Sequence, residues 1–414
     1  MTTAAVILAG GRGTRSVDPN TAKIAQQIGD KTLLQWHLEL LSNSSIHEAL
    51  LVTAHLAEQV QALADRTQVP NVQLRVIQES HPQGTFPALR VAIQESGADR
   101  FLVILGDIWT SFPIDDFLAA WDASTLPVAA IIHPSLHPQD SDAVVPQPDG
   151  TVRAVSKSQR DESTRNMSAT GVFAFTREYV GNTTGFTDIG SQVLQSAAES
   201  NQLFAYVSSH YFKDTGTPDR LQGARDDWAS GTFTRRGNTA ARPALLLDRD
   251  GVLNPALPEV YRPDDFALIP GVAQEIARAN SQGIPVLVAT NQPGLAKGFM
   301  TFTDHEAIRA RLDALLMEQG AFIDDYAFCP HHPESGFAGE VPALKVRCSC
   351  RKPEPGLLKD LLERHRLDHH QSVMVGDSVR DEQAAEAAHL SFVQVRSEYA
   401  VASTIRAAVE RLTC

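Results

Sequence analysis

The sequence is poor in cysteine, and three of its four cysteines lie within one short stretch, at Cys329, Cys348 and Cys350. We expect a cytoplasmic protein whose thiols stay reduced. In that compartment, clustered cysteines indicate metal binding or catalysis more often than a disulfide. The stretch, FCPHHPESGFAGEVPALKVRCSCRKPEPG, is therefore a candidate functional segment.

Long apolar runs and an excess of positive charge are also lacking. No run approaches the roughly 20 apolar residues that a membrane helix needs. The start, MTTAAVILAGG, has no charged segment before its apolar run, so we expect no signal peptide. A formal net charge of −13 argues against a general surface for nucleic acid or anionic lipid, and we expect neither as a partner.

Short runs of Val, Ile and Leu alternate with helical patterns, and they do so in two separate regions. Alternating strands and helices predict an α/β fold, with largely parallel sheets that carry helices on both faces. The predicted domains are residues 1–230 and 243–414, joined by a linker at 231–242 that has no apolar period. The runs predicted as strands are AAVILAG, ALLVTAH, VQLRVIQ, RFLVILGD, VAAIIHP, GVFAFT, LFAYVSS, ALLLDRDG, IPVLVATNQ and SVMVGDS, and those predicted as helices include TLLQWHLELL, HEAIRARLDALLMEQ and LLKDLLERH.

Two carboxylates follow the first predicted strand of the second domain, in ALLLDRDGVLN. An ionised Asp248 could attack a phosphorus atom and form an aspartyl-phosphate. Asp250 could protonate the leaving oxygen and then activate water. Attack on a phosphate dianion needs charge relief, which Mg²⁺ held by Asp248, Asp250 and Asp377 would supply. Asp381 could support that set.

Phosphate oxygens also need fixed donors, and two further segments offer them. Thr290 and Asn291 follow another predicted strand, and Arg351 and Lys352 follow the cysteine cluster. A single Asp after a strand is more often ordinary turn chemistry. The whole set in this order favours phosphoryl transfer instead.

These motifs resemble those of the haloacid dehalogenase superfamily of phosphohydrolases, over about residues 243–410. The resemblance implies a Rossmann-like domain with Asp248 as nucleophile and Asp250 as acid and base. It further implies catalytic roles for Thr290 and Lys352, and Asp377 as an acidic Mg²⁺ ligand.

Three thiolates and one imidazole form a closed tetrahedral set for a structural zinc ion. The set comprises Cys329, His331, Cys348 and Cys350. His332 could replace His331, although the family pattern favours His331. A redox Cys-x-Cys is a further alternative, but it would not need the histidine.

The motifs DRDGVLN, TNQPG, CPHHP and CSCRKPEPG together resemble the D-glycero-D-manno-heptose 1,7-bisphosphate 7-phosphatases. That resemblance implies the zinc loop, with the basic pair directly after it. Histidinol-phosphate phosphatases share the loop, so this half leaves the substrate open. The residues assigned to the substrate are Asn254, Asn291, Gln292, Arg351 and Lys352.

The first domain opens with AAVILAGGRGTRS, a strand followed by a glycine-rich turn. Glycines let backbone N–H groups approach phosphate oxygens, and Arg15 could add charge-assisted hydrogen bonds. Asp107 and Asp214 follow later apolar segments and could together hold one Mg²⁺ ion. A glycine turn alone would be weak evidence.

The set resembles the sugar-1-phosphate nucleotidyltransferases over about residues 3–228. The resemblance implies attack by a sugar 1-phosphate on the α-phosphorus of a nucleoside triphosphate, with Arg15 and Lys23 stabilising the charge. Ser16, Ala22 and Ile24 depart from the family pattern. The residues assigned to the nucleotide are Leu8, Ala9, Gly10, Gly11, Gly13, Thr14, Arg15, Lys23, Gly84 and Thr85.

The two halves together predict a bifunctional enzyme that makes a nucleotide-activated heptose for cell-surface polysaccharide. Heptose 1-phosphate would be the product of one half and the substrate of the other. Resemblance to heptose and mannose-1-phosphate guanylyltransferases favours GTP. The alternatives are a first domain that only binds nucleotide, a histidinol-phosphate phosphatase, and a non-catalytic scaffold.

Overall fold

A computed structural model describes residues 1–11, 20–147, 150–161 and 163–413. The chain divides into two compact units. The first comprises residues 1–133, 138–159 and 167–237, and the second comprises 134–137, 160–166 and 238–414. Nowhere in the described ranges is there a helix with the length and apolar character required to cross a bilayer.

The first unit is built on a mixed sheet. Its strands are β1 (Thr3–Leu8), β2 (Gln27–Ile28), β3 (Lys31–Thr32), β4 (Glu48–Thr53), β5 (Gln73–Gln78), β6 (Arg100–Leu105), β7 (Ile108–Ser111), β8 (Val128–His133), β9 (Ala143–Pro146), β10 (Val152–Val155), β11 (Ser168–Thr176), β12 (Leu203–Val207) and β13 (Tyr211–Asp214). Its helices are α1 (Leu33–Ser42), α2 (Ala57–Arg66), α3 (Thr85–Gln94), α4 (Ile114–Ser124), α5 (Arg177–Asn182), α6 (Leu194–Glu199), α7 (Pro218–Ala229) and α8 (Thr232–Arg236).

Nine strands form the main sheet, in the order β10-β9-β11-β6-β1-β4-β5, with β8 pairing to β11 and β12 to β8. The run β6-β1-β4-β5 is parallel, whereas β11 is antiparallel to β6. Alternate residues of β1 enter two different cores, Ala5 and Ile7 on one face and Ala4 and Val6 on the other. The sheet is therefore covered on both faces, which explains why β1 reads as a continuous apolar run.

A two-stranded ribbon that the sequence does not predict pairs β7 with β13 in antiparallel orientation. Its register places Asp214 opposite Ile108, the residue after Asp107. Two acidic residues from distant parts of the chain are thus brought to one place.

The predicted linker, 231–242, contains α8. Phe233 is buried and stacks on Trp109 with ring centroids 4.0 Å apart, and Arg236 is also buried. The helix is too short for an apolar period to be visible in the sequence. Single buried side chains anchor it, rather than an apolar face that repeats along the helix.

The second unit has a fully parallel five-stranded sheet. Its elements are β14 (Leu245–Leu247), β15 (Val286–Asn291), β16 (Asp325–Cys329), β17 (Val373–Gly376), β18 (Ser391–Gln394), α9 (Val272–Ser281), α10 (Gly294–Lys297), α11 (Phe302–Met317), α12 (Gly356–Arg364), α13 (Val379–Ala387) and α14 (Val401–Thr413).

The strand order is β16-β15-β14-β17-β18, with every pairing parallel. Leu245 and Leu247 pack into one core and Leu246 into the other, so this sheet is also covered on both faces. The carboxyl ends of β14, β15 and β17 meet at one edge, which is where open α/β sheets place their ligands. The expected α/β fold class is confirmed for both units.

Candidate functional sites

The acidic site of the second unit begins where β14 ends. Asp248 directly follows this strand, and its backbone N–H donates to the Val375 carbonyl at 3.0 Å. The side chain is almost enclosed, since the residue is only 8% exposed. Its position is thus set by the sheet itself rather than by a flexible loop.

Lys352 is the buried cation of this site. Its Nζ lies 2.9 Å from Asp248 Oδ1 and 2.6 Å from Asp381 Oδ1, and the residue is 1% exposed. Burial disfavours the ammonium, but the two carboxylates outweigh that cost and raise the pKa of Lys352. The lysine is therefore held charged between two acids.

Burial has the opposite effect on Asp248, whose pKa it raises to about 7. Lys352 lowers the pKa of this carboxyl, while the charges of Asp381 and Asp250 raise it further. A second positive charge beside Asp248 would consequently favour the ionised form that can act as a nucleophile.

Asp381 has two separate tasks, one for each carboxylate oxygen. Oδ2 accepts hydrogen bonds from the Ser378 backbone N–H at 3.0 Å and from Ser378 Oγ at 2.6 Å, which caps α13. Oδ1 is paired with Lys352. The start of α13 thereby fixes the lysine that contacts Asp248.

Asp248, Asp377 and Asp381 each offer an oxygen atom, and these atoms lie within 4.8 Å of one another. Three carboxylates at this separation fit a hard cation such as Mg²⁺. A Cβ on Gly251 would stand 2.1 Å from Asp377 Oδ2, at a backbone φ of +84°. Glycine is therefore required at this position for the acidic group to assemble.

The Asp250 carboxylate points to a different set of partners. Arg249 Nη2 donates to both of its oxygens at 2.9 Å, Asn254 Nδ2 donates at 3.0 Å, and Gln292 Nε2 donates at 2.9 Å. The side chain thus lies beside the acidic group without being one of its members. Its assignment as a Mg²⁺ ligand stays a prediction.

The residues predicted to donate to phosphate are also engaged with the protein. Thr290 is buried, and its hydroxyl accepts from Gln292 Nε2 at 3.0 Å. The Asn291 side chain donates to the Lys352 carbonyl at 2.9 Å and accepts from the Lys352 N–H at 3.0 Å. Asn291 therefore holds the backbone of the buried lysine, while its predicted contact with substrate stays a prediction.

The four predicted zinc ligands lie together. Ligand atoms of Cys329, His331, Cys348 and Cys350 are all within 4.8 Å of one another. The three sulfur atoms are 3.2 to 3.6 Å apart, and His331 Nδ1 is 3.4 Å from the Cys350 sulfur. Hydrogen bonding with the Cys329 thiol lowers the pKa of Cys350 to about 5. Three sulfur atoms and one imidazole nitrogen at these separations fit a zinc ion.

Of the two neighbouring histidines, the structure brings His331 to the cluster. The His332 ring instead packs against Phe337, and its Nδ1 contacts the Glu334 carbonyl at 3.2 Å. The Arg351 guanidinium donates to the His331 carbonyl at 3.2 Å. The cysteine cluster is thus directly connected to the basic pair that follows it.

A second site lies in the first unit, where β6 ends and β13 approaches. Lys23 Nζ pairs with Asp107 Oδ2 at 2.7 Å. A Cβ on Gly216 would stand 2.9 Å from Asp214 Oδ1, 3.0 Å from Asp107 Oδ2 and 3.2 Å from Lys23 Nζ. All three charged side chains therefore converge on Gly216. Asp214 also pairs with Arg220.

Only part of the predicted glycine loop can be described. Leu8 ends β1, and the Ala9 N–H donates to the Val52 carbonyl at 2.8 Å. Gly10 and Gly11 follow this point. Gly13, Thr14, Arg15 and the neighbouring Ser16 lie outside the described residues, so their predicted roles stay predictions.

Gly84 and Thr85 start α3. Gly84 has a φ of +122°, and a Cβ there would stand 2.2 Å from the Thr187 carbonyl oxygen. The Thr85 hydroxyl accepts from the Ile189 N–H at 2.8 Å. Thr85 thus holds the segment 187–189, which Gly84 passes closely, and the contact of both residues with nucleotide stays a prediction.

Arg249 is a site residue that the sequence reasoning missed. It lies between the two motif aspartates, is buried, and orients Asp250. The only available signal was a cation inside the Asp-x-Asp motif, and side-chain direction at that position depends on the tertiary fold.

Comparison with known proteins matches both halves. The nucleotidyl transferase family profile covers residues 4–230, and a HAD-hydrolase-like profile covers residues 349–412. A D-glycero-beta-D-manno-heptose-1,7-bisphosphate 7-phosphatase of Rhodopseudomonas palustris is 41% identical over 147 residues, which are 36% of this chain and 79% of that protein.

Two solved structures are similar to separate halves. A D,D-heptose 1,7-bisphosphate phosphatase from B. bronchiseptica, complexed with magnesium and phosphate, is 32% identical and covers 41% of this chain and 98% of its own, with a TM-score of 0.36. HddC from Yersinia pseudotuberculosis is 22% identical and covers 55% of this chain and 100% of its own, with a TM-score of 0.47.

Proposed function

The chain belongs to the nucleotidyl transferase family through its first half and to the heptose-bisphosphate phosphatases through its second; since it so combines a phosphatase with a nucleotidyltransferase, we propose that it converts heptose 1,7-bisphosphate to a nucleotide-activated heptose. Small-molecule sugar phosphates and a nucleoside triphosphate are its substrates. The reactions take place in the cytoplasm, where thiols remain reduced.

The phosphatase reaction rests on the enclosed pair formed by Asp248 and Lys352. An Asp248 oxygen attacks the phosphorus at position 7, and the bond from phosphorus to the sugar oxygen breaks. Asp250 gives a proton to that leaving oxygen. Water then attacks the aspartyl-phosphate, Asp250 takes the proton of the water, and inorganic phosphate leaves.

Charge control in this reaction comes from the residues around Asp248. The carboxylates of Asp248, Asp377 and Asp381 would hold Mg²⁺, which when bound offsets the negative charge of the phosphate. Lys352 stays close to the oxygen that attacks and would neutralise charge on the phosphoryl group.

The zinc loop has a structural role in this proposal. A zinc ion on Cys329, His331, Cys348 and Cys350 would close a segment that has little core of its own. Because Arg351 and Lys352 follow Cys350 directly, holding the loop also sets the direction of both cations. Arg351 is the residue proposed to contact the substrate.

Nucleotidyl transfer is assigned to the convergence of Lys23, Asp107 and Asp214. A phosphate oxygen of heptose 1-phosphate attacks the α-phosphorus of the triphosphate, the bond to the bridging oxygen breaks, and pyrophosphate leaves. Lys23 and Arg15 stabilise the developing charge, and the two carboxylates are the proposed Mg²⁺ ligands. GTP is the proposed nucleotide.

The deciding experiment follows the products by mass spectrometry. The purified chain is incubated with heptose 1,7-bisphosphate, Mg²⁺ and each common nucleoside triphosphate in turn. We expect heptose 1-phosphate first, then GDP-heptose with pyrophosphate. Heptose 1-phosphate without pyrophosphate from any triphosphate would leave a phosphatase whose first half only binds nucleotide.

Two controls separate the remaining alternatives. Asp248→Asn should abolish phosphate release while leaving zinc content and nucleotidyl transfer unchanged, and full residual phosphatase activity would refute its assignment as nucleophile. Comparing turnover of histidinol phosphate with that of heptose 1,7-bisphosphate tests the substrate. Faster turnover of histidinol phosphate would contradict the heptose proposal.

A further inference from the structure

Two short segments of the chain belong to the second unit although they lie within the first half of the sequence. They comprise residues 134–137 and 160–166, whereas the nucleotidyl transferase profile covers 4–230. Asn166 joins the two segments, because its side chain donates to the Ser135 carbonyl at 2.9 Å and accepts from the Ser135 N–H at 3.1 Å. The second unit therefore contains residues that the sequence places with the nucleotidyltransferase.

Arg165 attaches these segments to helix α11. The residue is 7% exposed, and its Nε lies 2.5 Å from Asp313 Oδ2 while Nη1 lies 3.5 Å from Glu306 Oε2. The Asn166 backbone N–H donates to the same Asp313 oxygen at 2.9 Å. Burial disfavours the guanidinium, but the two carboxylates outweigh that cost and raise the pKa of Arg165. The arginine is therefore held charged between two acids of one helix.

The two acids share a face of α11 with Arg309. Glu306, Arg309 and Asp313 are separated by three and four positions, a spacing that makes them neighbours on a helix. Arg309 Nη1 donates to Glu306 Oε1 at 2.7 Å, and its guanidinium carbon lies 4.6 Å from the centroid of the Tyr326 ring. Because Arg165 already pairs with Asp313, Arg309 can remain against Tyr326.

Tyr326 connects this face to the proposed acid of the phosphatase. It is buried on β16 next to Arg249. Burial lowers the pKa of Arg249, but the neighbouring Tyr326 and Asp250 outweigh that effect and raise it. Arg249 in turn donates to both oxygens of Asp250 at 2.9 Å. A continuous row of side chains thus runs from Arg165 to the carboxylate that is proposed to protonate the leaving oxygen.

The charges in this row balance only while Arg165 is present. The row contains three guanidinium groups and three carboxylates, namely Arg165, Arg309, Arg249, Asp313, Glu306 and Asp250. Without Arg165, Arg309 would be the remaining cation of the row beside two buried acids, and an unpaired buried charge is costly. Arg309 would then shift toward Asp313, four positions further along the helix, and away from Tyr326.

We infer that Arg165 is a positioning residue for phosphate release. By neutralising the two acids of α11, it maintains the row of side chains that orients Asp250 toward the leaving oxygen. It acts through other side chains and has no assigned contact with the substrate. The inference rests on the proposed role of Asp250, and it means that the first half of the sequence supplies a residue to the reaction of the second.

A comparison of two leaving groups tests this role in the full-length protein. The ratio kcat/KM reports the steps up to departure of the leaving group. A sugar oxygen needs a proton from Asp250 at that step, whereas p-nitrophenolate leaves without one. Arg165→Met should therefore lower kcat/KM for heptose 1,7-bisphosphate by about tenfold or more and change that for p-nitrophenyl phosphate by less than about twofold.

Two outcomes would overturn the inference. An equal loss on both substrates would show that the substitution only reduces the folded fraction, and an unchanged kcat/KM for the bisphosphate would show that Arg165 has no part in the reaction. Arg311→Met, at an exposed arginine of the same helix, is the matched control and should leave both values unchanged.

Two further variants keep the test independent of one substitution. Arg165→Gln retains hydrogen-bond donors without the charge and should give the same selective loss, so it decides the question if the methionine variant is unfolded. A folded glutamine variant with unchanged kcat/KM for the bisphosphate would contradict the inference. Arg165→Lys retains the charge and should recover most of the lost activity.

Asp250→Asn separates failure of the inference from failure of the proposed function. If Asp250→Asn loses activity selectively on the bisphosphate and Arg165→Met does not, the acid assignment stands and the positioning role is wrong. If Asp250→Asn slows both substrates equally, the acid assignment itself is wrong.

Discussion

Replacing Lys352 by methionine tests the central electrostatic feature of the second unit. Methionine keeps the length of the side chain and removes its charge, which leaves Asp248 and Asp381 without their shared cation. The ion pairs span 2.9 and 2.6 Å. At an effective dielectric constant of about 20, each pair corresponds to roughly 6 kcal/mol of attraction before desolvation is subtracted.

Desolvation of the three groups offsets much of this attraction. Removing one partner of a buried pair typically costs about 3–5 kcal/mol, because the other charge remains buried and unpaired. We expect Lys352→Met to lower the unfolding free energy of the second unit by that amount. We also expect phosphate release to slow by about 100-fold or more, as when one preorganised donor is lost from an active site.

The assay must report on the second unit alone. All four tryptophans, at positions 36, 109, 121 and 228, belong to the first unit, so intrinsic tryptophan fluorescence would follow the wrong part of the chain. Hydrogen exchange of peptides that contain β14 and β17, measured against denaturant, gives the local unfolding free energy directly. Lys359→Met, at a partly exposed lysine on α12, is the matched control.

A double-mutant cycle decides whether the ion pair causes the effect. Asp381→Asn alone should also destabilise the unit, and the double variant should lose less than the sum of the two single variants. Additivity within about 0.5 kcal/mol would refute the reasoning, since coupled neighbours are not additive.

Two further predictions concern metal and pH. In Cys348→Ser/Cys350→Ser, elemental analysis should find the bound zinc lost, and the second unit should unfold at lower temperature; unchanged metal content would contradict the zinc assignment. Burial lowers the pKa of His305 from 6.5 to about 4, so the folded unit keeps it neutral while the unfolded chain takes up a proton below pH 6.5. The unfolding free energy should therefore fall between pH 6.5 and 4 by up to roughly 1.4 kcal/mol per pH unit, and His305→Gln should reduce that slope; an identical slope in the variant would argue against a neutral, buried His305.

Much of the framework could be predicted from local sequence. The buried strands β1, β4, β6, β14, β15 and β17 all appear as apolar runs, because a strand covered on both faces must be apolar at nearly every position. The residues that follow such strands then lie at one sheet edge. This rule is sufficient to bring Asp248, after β14, and Asp377, after β17, to one region, and Thr290 lies near the same edge at the end of β15.

Short or half-exposed strands could not be predicted in this way. β7 and β13 have four residues each and include polar side chains, so neither shows a clear pattern. Their pairing joins distant segments, and register between distant strands depends on the packing of the whole sheet. The convergence of Asp107 with Asp214 was therefore expected from their positions after apolar segments, while the ribbon that causes it was not.

The direction of individual side chains is the other feature that could not be predicted from the sequence. The sequence places Asp248 and Asp250 on the same side of an extended segment, and both were expected to serve one metal ion. In the fold, the Asp250 carboxylate accepts hydrogen bonds from Arg249, Asn254 and Gln292, contacts that the motif does not indicate, and its role as a metal ligand stays a prediction. Competition between possible partners is decided by tertiary contacts, which a linear motif does not contain.

The capping of α13 by Asp381 links two properties that could otherwise change independently, the stability of the helix terminus and the rate of the reaction. A change at Ser378 is a change at a helix terminus, where substitutions normally alter stability alone. Here the same carboxylate also holds Lys352 beside Asp248, the proposed nucleophile, so a change at Ser378 should also alter the reaction rate. Fewer residue types should therefore be tolerated at position 378 than at other helix termini on the surface. Variants designed to stabilise the phosphatase half should keep Ser378 and Asp381 unchanged.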